Sequence, residues 1–255
     1  MRIDVYATYE EVTLEMIRSR LVVVIDLLRA TTTIIQAIES DADMVIPVCE
    51  ISQAVALAHL HRSRVLLAGE RKGQRIEGFD LGNSPQTMTP EAVRGKTLVI
   101  TTTNGTCALE RVKDAHIVLL GALANKSAIA ECIASLNLDV SIVCAGTEGR
   151  FSADDIYCAG AIINSLRKLT ESLELSDLAR VAASYYQSAR NDRTLVASSW
   201  HYSRLVRMGF EEDVEFCFME DSTGVVPVYK NGIVRERKAS ESIDSEAIKL
   251  AIRAL

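Results

Sequence analysis

An apolar strand that runs straight into a carboxylate, a guanidinium and a row of hydroxyls carries the groups needed to hold a phosphate beside a hard cation. Leu21-Val22-Val23-Val24-Ile25 ends in Asp26, and Arg29 and then Thr31, Thr32 and Thr33 follow. A carboxylate at a strand end is costly unless it has a partner, a metal or solvent. Here the carboxylate suits Mg²⁺, the arginine suits a forked grip on phosphate, and the hydroxyls supply further donors. A purely structural ion pair between Asp26 and Arg29 is the alternative reading.

A second segment has the same grammar. Leu98-Val99-Ile100 stops in Thr101-Thr102-Thr103-Asn104-Gly105-Thr106, and a helix is expected from there. Backbone N–H groups at a helix start attract anions, although Thr and Asn also cap helices that bind nothing. Three more apolar runs end alike: Val65–Ala68 in Gly69-Glu70-Arg71, His116–Leu120 in Gly121-Ala122-Leu123-Ala124-Asn125, and Val140–Val143 in Cys144-Ala145-Gly146-Thr147-Glu148-Gly149. Five such strand ends predict one floor, with Asp26, Glu70, Asn104 and Glu148 bordering a single cleft at the carboxyl edge of a parallel sheet. Thr103-Asn104-Gly105-Thr106 is expected to take phosphate together with Arg29, and Asp26 to take the metal with Glu70 or Asp155. Ser152 reads as an N-cap that places Asp154 and Asp155 in the first turn of a helix. The helix dipole accounts for one of these aspartates, at roughly 0.3–1 kcal/mol, and leaves the other free to reach a metal.

The elements that must position these groups alternate over the first 165 residues. Strands are expected near 2–6, 21–26, 44–48, 64–68, 97–101, 116–120 and 140–144. Helices are expected near 10–18, 31–40, 51–62, 104–111, 126–136 and 153–168. Alternation of this kind means a largely parallel or mixed sheet with helices on both faces. The connection from 69 to 96 is long and lacks periodicity, which favours a functional wall. It would carry Asp80, Asn83 and Ser84 over the strand ends. Beyond 170 the texture changes. Ser176 to Ala189 and Asp192 to Met208 read as helices with Ser176 and Asp192 as caps, and Val214–Phe218 alternates like a half-buried strand. Lys230-Asn231-Gly232 reads as a tight hairpin turn between Val225–Tyr229 and Ile233–Glu236.

At 255 residues with 48% hydrophobic content and a net charge of −6, the chain is globular, and the charge argues against a general nucleic-acid or anionic-membrane binder while leaving room for local basic pockets. A signal-peptide pattern and a membrane-length apolar run are missing, so a cytoplasmic location is expected by default. The six cysteines form no C-x-x-C pair or zinc spacing, and Cys144, at a strand end, reads as a packing residue. His59 and His61 stand two apart on a helix, too poorly aligned to share a metal. Walker, G-x-S-x-G and H-E-x-x-H signatures do not occur, and Asp26, followed by Leu27 and Leu28, does not begin the D-x-D pair of the aspartyl-phosphate phosphatases.

Val24-Ile25-Asp26-Leu27-Leu28-Arg29-Ala30-Thr31, Gly69-Glu70-Arg71, Gly78-Phe79-Asp80-Leu81-Gly82-Asn83-Ser84-Pro85, Thr101-Thr102-Thr103-Asn104-Gly105-Thr106, Asn125 and Cys144-Ala145-Gly146 appear in that order. Together they resemble the 2-phosphosulfolactate phosphatase (ComB) family from about residue 2 onward, least between 170 and 210. The resemblance implies a three-layer α/β/α fold and a Mg²⁺-dependent phosphoric monoester hydrolase. Its reaction would convert 2-phospho-3-sulfolactate to 3-sulfolactate and phosphate, a step serving coenzyme M biosynthesis. It also implies one domain over 1–255, with an α/β core over about 1–168 and C-terminal helices and hairpin over about 170–255. The implied site is Asp26 and Arg29 as catalytic residues, Asp26, Glu70 and Asp155 for metal, and Arg29, Thr31, Arg71, Asn83, Ser84, Thr103, Asn104, Gly105, Thr106 and Asn125 for substrate. Asp154 stands where the family often has Glu. The implied partner is a small phosphorylated, sulfonated acid, with no nucleic acid or membrane and with homo-oligomerisation left open. Two alternatives stand beside this reading: a phosphatase for another small 2-phospho-hydroxy acid, and a non-catalytic nucleotide- or anion-binding regulator.

Overall fold

The strand 21–25 shows how the layers arise. Leu21, Val23 and Ile25 pack into one apolar cluster, while Val22 and Val24 pack into another. Side chains alternate across a strand, so a run apolar at every position needs a covered sheet on both faces. A computed structural model describes residues 1–60 and 64–237 of the chain, and His61 lies outside the described residues. The fold is a three-layer α/β/α sandwich. Its strands are β1 (Arg2–Tyr6), β2 (Leu21–Ile25), β3 (Met44–Pro47), β4 (Val65–Arg71), β5 (Gln74–Arg75), β6 (Thr97–Thr101), β7 (Ile117–Gly121), β8 (Val140–Cys144), β9 (Glu174–Leu175), β10 (Pro227–Lys230) and β11 (Ile233–Glu236). They form one mostly parallel sheet in the order β5-β4-β6-β3-β11-β10-β7-β2-β8-β1-β9.

Helices Lys126–Leu136, Ala153–Leu166 and Asp177–Ala189 supply Ile129, Ile133, Ile156, Ile162 and Ala182 to the first cluster. Helices Ala30–Glu39 and Gly105–Arg111 supply Ile34, Ala37, Ala108 and Leu109 to the second. The second cluster also holds Leu98 and Ile100 of β6, although four strands separate β6 from β2 in the sheet order. The strands between them carry the cluster across, through Val45 of β3, Val234 of β11, Tyr229 of β10 and Val118 of β7.

The C-terminal hairpin sits in the middle of this sheet. β10 pairs with β7 and β11 with β3, both antiparallel, which joins two parallel blocks. Its turn places Asn231 and Gly232 at φ 53° and 83°, the geometry that Asn-Gly favours.

The expected strand at Val214–Phe218 is instead the helix Glu211–Cys217. Asp213, Val214, Cys217 and Phe218 are buried while Glu215 is exposed, which is a helical spacing. Glu211, Glu212 and Asp213 in the first turn complement the helix dipole. The helix expected over 192–208 is split into Thr194–Ala197 and Trp200–Arg207, with Ser199 extended between them. The helix expected over 10–18 is likewise broken, into Tyr9–Glu11 and Leu14–Ile17. The 69–96 connection is more ordered than its composition suggests. β4 runs on to Arg71, β5 folds back on it, and Leu81 bridges to Ala68.

Gly160 lets helix Ala153–Leu166 lie against Asp177–Ala189. A Cβ there would stand 2.0 Å from the Ala182 carbonyl oxygen. Gly160→Ala is expected to cost about 2 kcal/mol through forced separation of the two helices. Urea unfolding should show a lower midpoint at unchanged slope.

Candidate active site

β2 delivers Asp26 to the floor of a cleft. Thr31 closes the turn after it: its Oγ1 donates to the Asp26 carbonyl at 2.9 Å and accepts from the Asp26 amide at 3.2 Å. Asp26 Oδ1 accepts from the Ala30 amide at 3.2 Å, and no hydrogen bond reaches its Oδ2 among the described residues. Helix Gly105–Arg111 opens directly against this carboxylate. A Cβ on Gly105 would stand 2.6 Å from Asp26 Oδ2, so only glycine permits the approach.

Asp26, Arg29, Glu70, Asn83, Thr103, Asn104 and Glu148 line one cleft together with Lys72, Thr147, His201 and Arg204. The strand ends therefore meet. Glu70 organises the neighbouring wall, since its two oxygens accept from the Thr103 amide at 2.7 Å and the Gly73 amide at 2.6 Å. Arg29 is 3% exposed. Its partner is not Asp26 but Asp213, at 2.5 Å, and it also donates to the Gly73 carbonyl at 2.9 Å and lies over the Phe210 ring. Two of its five N–H groups are thus engaged, which leaves donors for a ligand. Asn83 is buried, and its Oδ1 has no partner.

Other expected site residues lie elsewhere. The Thr31 hydroxyl is consumed by the turn, and Thr106 exchanges hydrogen bonds with Thr102 as a helix cap. Arg71 donates to the carbonyls of Glu70 and Cys49 and to the Thr101 hydroxyl. Ser84 donates to Asp213 at 2.5 Å. Asn125 is fully buried and ties β7 to the hairpin region, donating to the Leu120 and Val225 carbonyls and accepting from Ala122. Asp80 accepts from the Leu67 amide. Asp155 sits behind the floor, accepting from the Leu27 and Gly146 amides at 2.9 Å each. It fastens β2 to β8 and does not line the cleft. Cys144 is fully buried and its thiol is pushed well above its ordinary range by that burial, which fits packing and not nucleophilic attack.

Asp213, His201 and Arg204 escaped the sequence reading. Asp213 was masked by the strand-like alternation that follows it. His201 and Arg204, with Leu205, stand at i, i+3 and i+4 of one helix face; that spacing was the available signal. His201 Nε2 is 2.7 Å from the Leu28 carbonyl and therefore donates to it, and Nδ1 is buried without a partner.

The family profile described as 2-phosphosulpholactate phosphatase matches residues 6–232. A probable 2-phosphosulfolactate phosphatase of Caldanaerobacter subterraneus subsp. tengcongensis is 46% identical over 237 residues, 92% of this chain and 98% of the relative. Proteins of the same description from Clostridium tetani and Caldicellulosiruptor saccharolyticus are 42% and 43% identical, each over 92% of this chain and 100% of their own length. The chain belongs to the 2-phosphosulfolactate phosphatase family. It is accordingly a phosphoric monoester hydrolase.

The electrostatics of that cleft are set by burial. Burial first, with Asp154 and Glu70 adding repulsion, raises Asp26 from 3.8 to about 6 against the stabilising Ala30 amide and His201. Asp155 is pushed well above the ordinary carboxylate range by burial, Asp154 and Asp26. A buried carboxylate with one oxygen open beside a second carboxylate fits a hard cation. Mg²⁺ takes one or two protein carboxylates and completes its shell with water and phosphate oxygens. Among the described residues no group of three or more His, Cys, Asp or Glu side chains forms an all-protein cage, and Mg²⁺ does not require one.

Because the folded form of Asp26 holds its proton more tightly, its contribution to stability is full below pH 4 and is lost as pH rises through about 6. The shift corresponds to about 3 kcal/mol. In chelator-treated protein, Asp26→Asn should gain stability relative to wild type by that order between pH 4 and pH 8. Parallel urea-unfolding curves of the two proteins across this range would show that Asp26 carries no such strain.

Proposed function

We propose that the chain is a Mg²⁺-dependent phosphatase that hydrolyses 2-phospho-3-sulfolactate to 3-sulfolactate and phosphate, a step of the kind that serves coenzyme M biosynthesis. The observation that carries this reading is the open Oδ2 of buried Asp26 in the same cleft as Arg29, Thr103 and Asn104. A simple anion receptor has no use for carboxylates beside its donors, since they repel the ligand unless a cation intervenes. The names of the relatives support the substrate.

In this reading Asp26 and Glu70 are the residues that would hold Mg²⁺. When bound, the ion supplies neutralisation of these carboxylates and stabilises the charge developing on the phosphoryl oxygens. Arg29 grips the phosphate with its remaining N–H groups, and its orientation is fixed from behind by Asp213, which Ser84 in turn orients. Asn104 and Thr103 border the phosphate at the opening of helix Gly105–Arg111. Glu70 holds the Thr103 amide in place, so the same carboxylate that faces the cation also shapes the phosphate wall.

Phosphate release from 2-phospho-3-sulfolactate, 2-phospholactate and unrelated phosphoesters, with Mg²⁺ and after chelation, tests the proposal. The expected result is Mg²⁺-dependent release strongest with the sulfonated substrate. Full turnover after exhaustive chelation contradicts the Mg²⁺ requirement, and binding without release favours the regulator. Arg29→Lys is expected to lower kcat/KM about 100-fold, because a point charge cannot hold both phosphate and Asp213 in a planar fork. Wild-type turnover in that variant, with the fold verified by its melting temperature, would remove Arg29 from the phosphate.

A further inference from the structure

The cleft has a second, cationic side that the phosphate chemistry does not use. Helix Trp200–Arg207 presents Arg204 and His201 to it, and the turn between β4 and β5 presents Lys72. Arg29, the other arginine of the cleft, is fixed by Asp213 and the Gly73 carbonyl, and its remaining N–H groups serve the phosphate in the reading above. Arg204 is held differently. Its Nη1 pairs with Glu148 at 3.0 Å, with side-chain exposures of 24% for Arg204 and 58% for Glu148, and its guanidinium lies over the Trp200 ring. Lys72 is exposed and has no ion-pair partner among the described residues.

We propose that Arg204 and Lys72 bind the sulfonate of the substrate, and that the Glu148 carboxylate holds this place in the free protein. The proposal rests on the phosphatase reading above. A substrate with phosphate, carboxylate and sulfonate brings three anionic groups into a cleft already bordered by Asp26, Glu70 and Glu148. The reacting phosphate takes Arg29 and the donors of the strand ends. The sulfonate stands one bond further from the phosphorylated carbon than the carboxylate does, and so reaches a wall beyond them. Its oxygens match a guanidinium fork in the way other oxyanions do. The Arg204–Glu148 pair is exposed enough to exchange one anion for another at little cost. The exchange leaves Arg204 paired throughout and releases Glu148 to solvent. Trp200 under the guanidinium keeps the fork in position while its partner changes.

The test compares two substrates that differ only in the sulfonate: 2-phospho-3-sulfolactate and 2-phospholactate. Wild type should prefer the sulfonated substrate in kcat/KM. Arg204→Met, which keeps the apolar stem over Trp200, should reduce that preference about tenfold or more, chiefly through KM of the sulfonated substrate. Glu148→Gln should lower the same KM several-fold, because a competing anion has been removed. Arg207→Met, a loss of like charge from the same helix outside the cleft lining, should leave the preference as it is. An equal loss on both substrates in Arg204→Met, no loss on either, or a raised KM in Glu148→Gln overturns the assignment. If wild type turns over neither substrate, the phosphatase reading fails separately. Calorimetric titration of 3-sulfolactate into wild type and Arg204→Met then decides the subsite, with weaker binding to the variant supporting it and equal affinity overturning it.

Discussion

Asp155 accepts one backbone N–H on each carboxylate oxygen, from Leu27 just past β2 and from Gly146 just past β8. The floor of the cleft depends on this pair of bonds. They fix where β2 ends, and thereby where Asp26 emerges, using a buried carboxyl acceptor that would be expensive to leave without both partners. The consequence is a second buried carboxylate close behind the first. Burial, Asp154 and Asp26 raise the proton affinity of Asp155, while burial, Asp154 and Glu70 raise that of Asp26. In the proposed reading this cluster of carboxyl groups is what a cation would neutralise beside the phosphate.

The remaining walls follow the same plan of carboxylates that bind backbone. Glu70 gathers the Thr103 and Gly73 amides, and Asp213 joins Arg29 to Ser84. Each of these acids orders a loop that a neutral side chain would leave loose. The basic residues that remain available, Arg204 and Lys72, come from outside the strand-end motifs. This division separates the part of the site that handles phosphorus from the part that can read the rest of a substrate. The second apolar cluster runs from β6 to β2 across the four strands between them, so both strand ends rest on one continuous layer.

Much of this was legible in the sequence, because the switch from β-branched residues to Asp, Glu, Thr and Asn marks a strand end wherever it occurs. Asp26, Glu70, Asn104 and Glu148 converge as those switches predicted. Less legible was the job of each polar group at a strand end. Thr31, Thr106, Arg71 and Asn125 have the chemistry of ligand donors, yet spend it on backbone groups that would otherwise be buried unpaired. Sequence pattern records the group and not its partner. Asp213 was hidden because Val214–Phe218 satisfies a period of two as well as a helical one, and burial of residues 213, 214, 217 and 218 settles the matter only in three dimensions. The Asn231-Gly232 turn was readable, whereas its hairpin's place inside the sheet was a long-range pairing that no local signal carries.

The central claim is that the buried charge of Asp26 creates a cation site, and a measurement without substrate addresses it most directly. Thermal unfolding at pH 8 across a Mg²⁺ titration should show wild type rising steadily in melting temperature, with about 2.7 kcal/mol of added stability once the ion is at a hundred times its dissociation constant. Asp26→Asn should show little or no rise over the same range. An equal Mg²⁺ response in both proteins, or none in wild type up to millimolar ion, would contradict the claim.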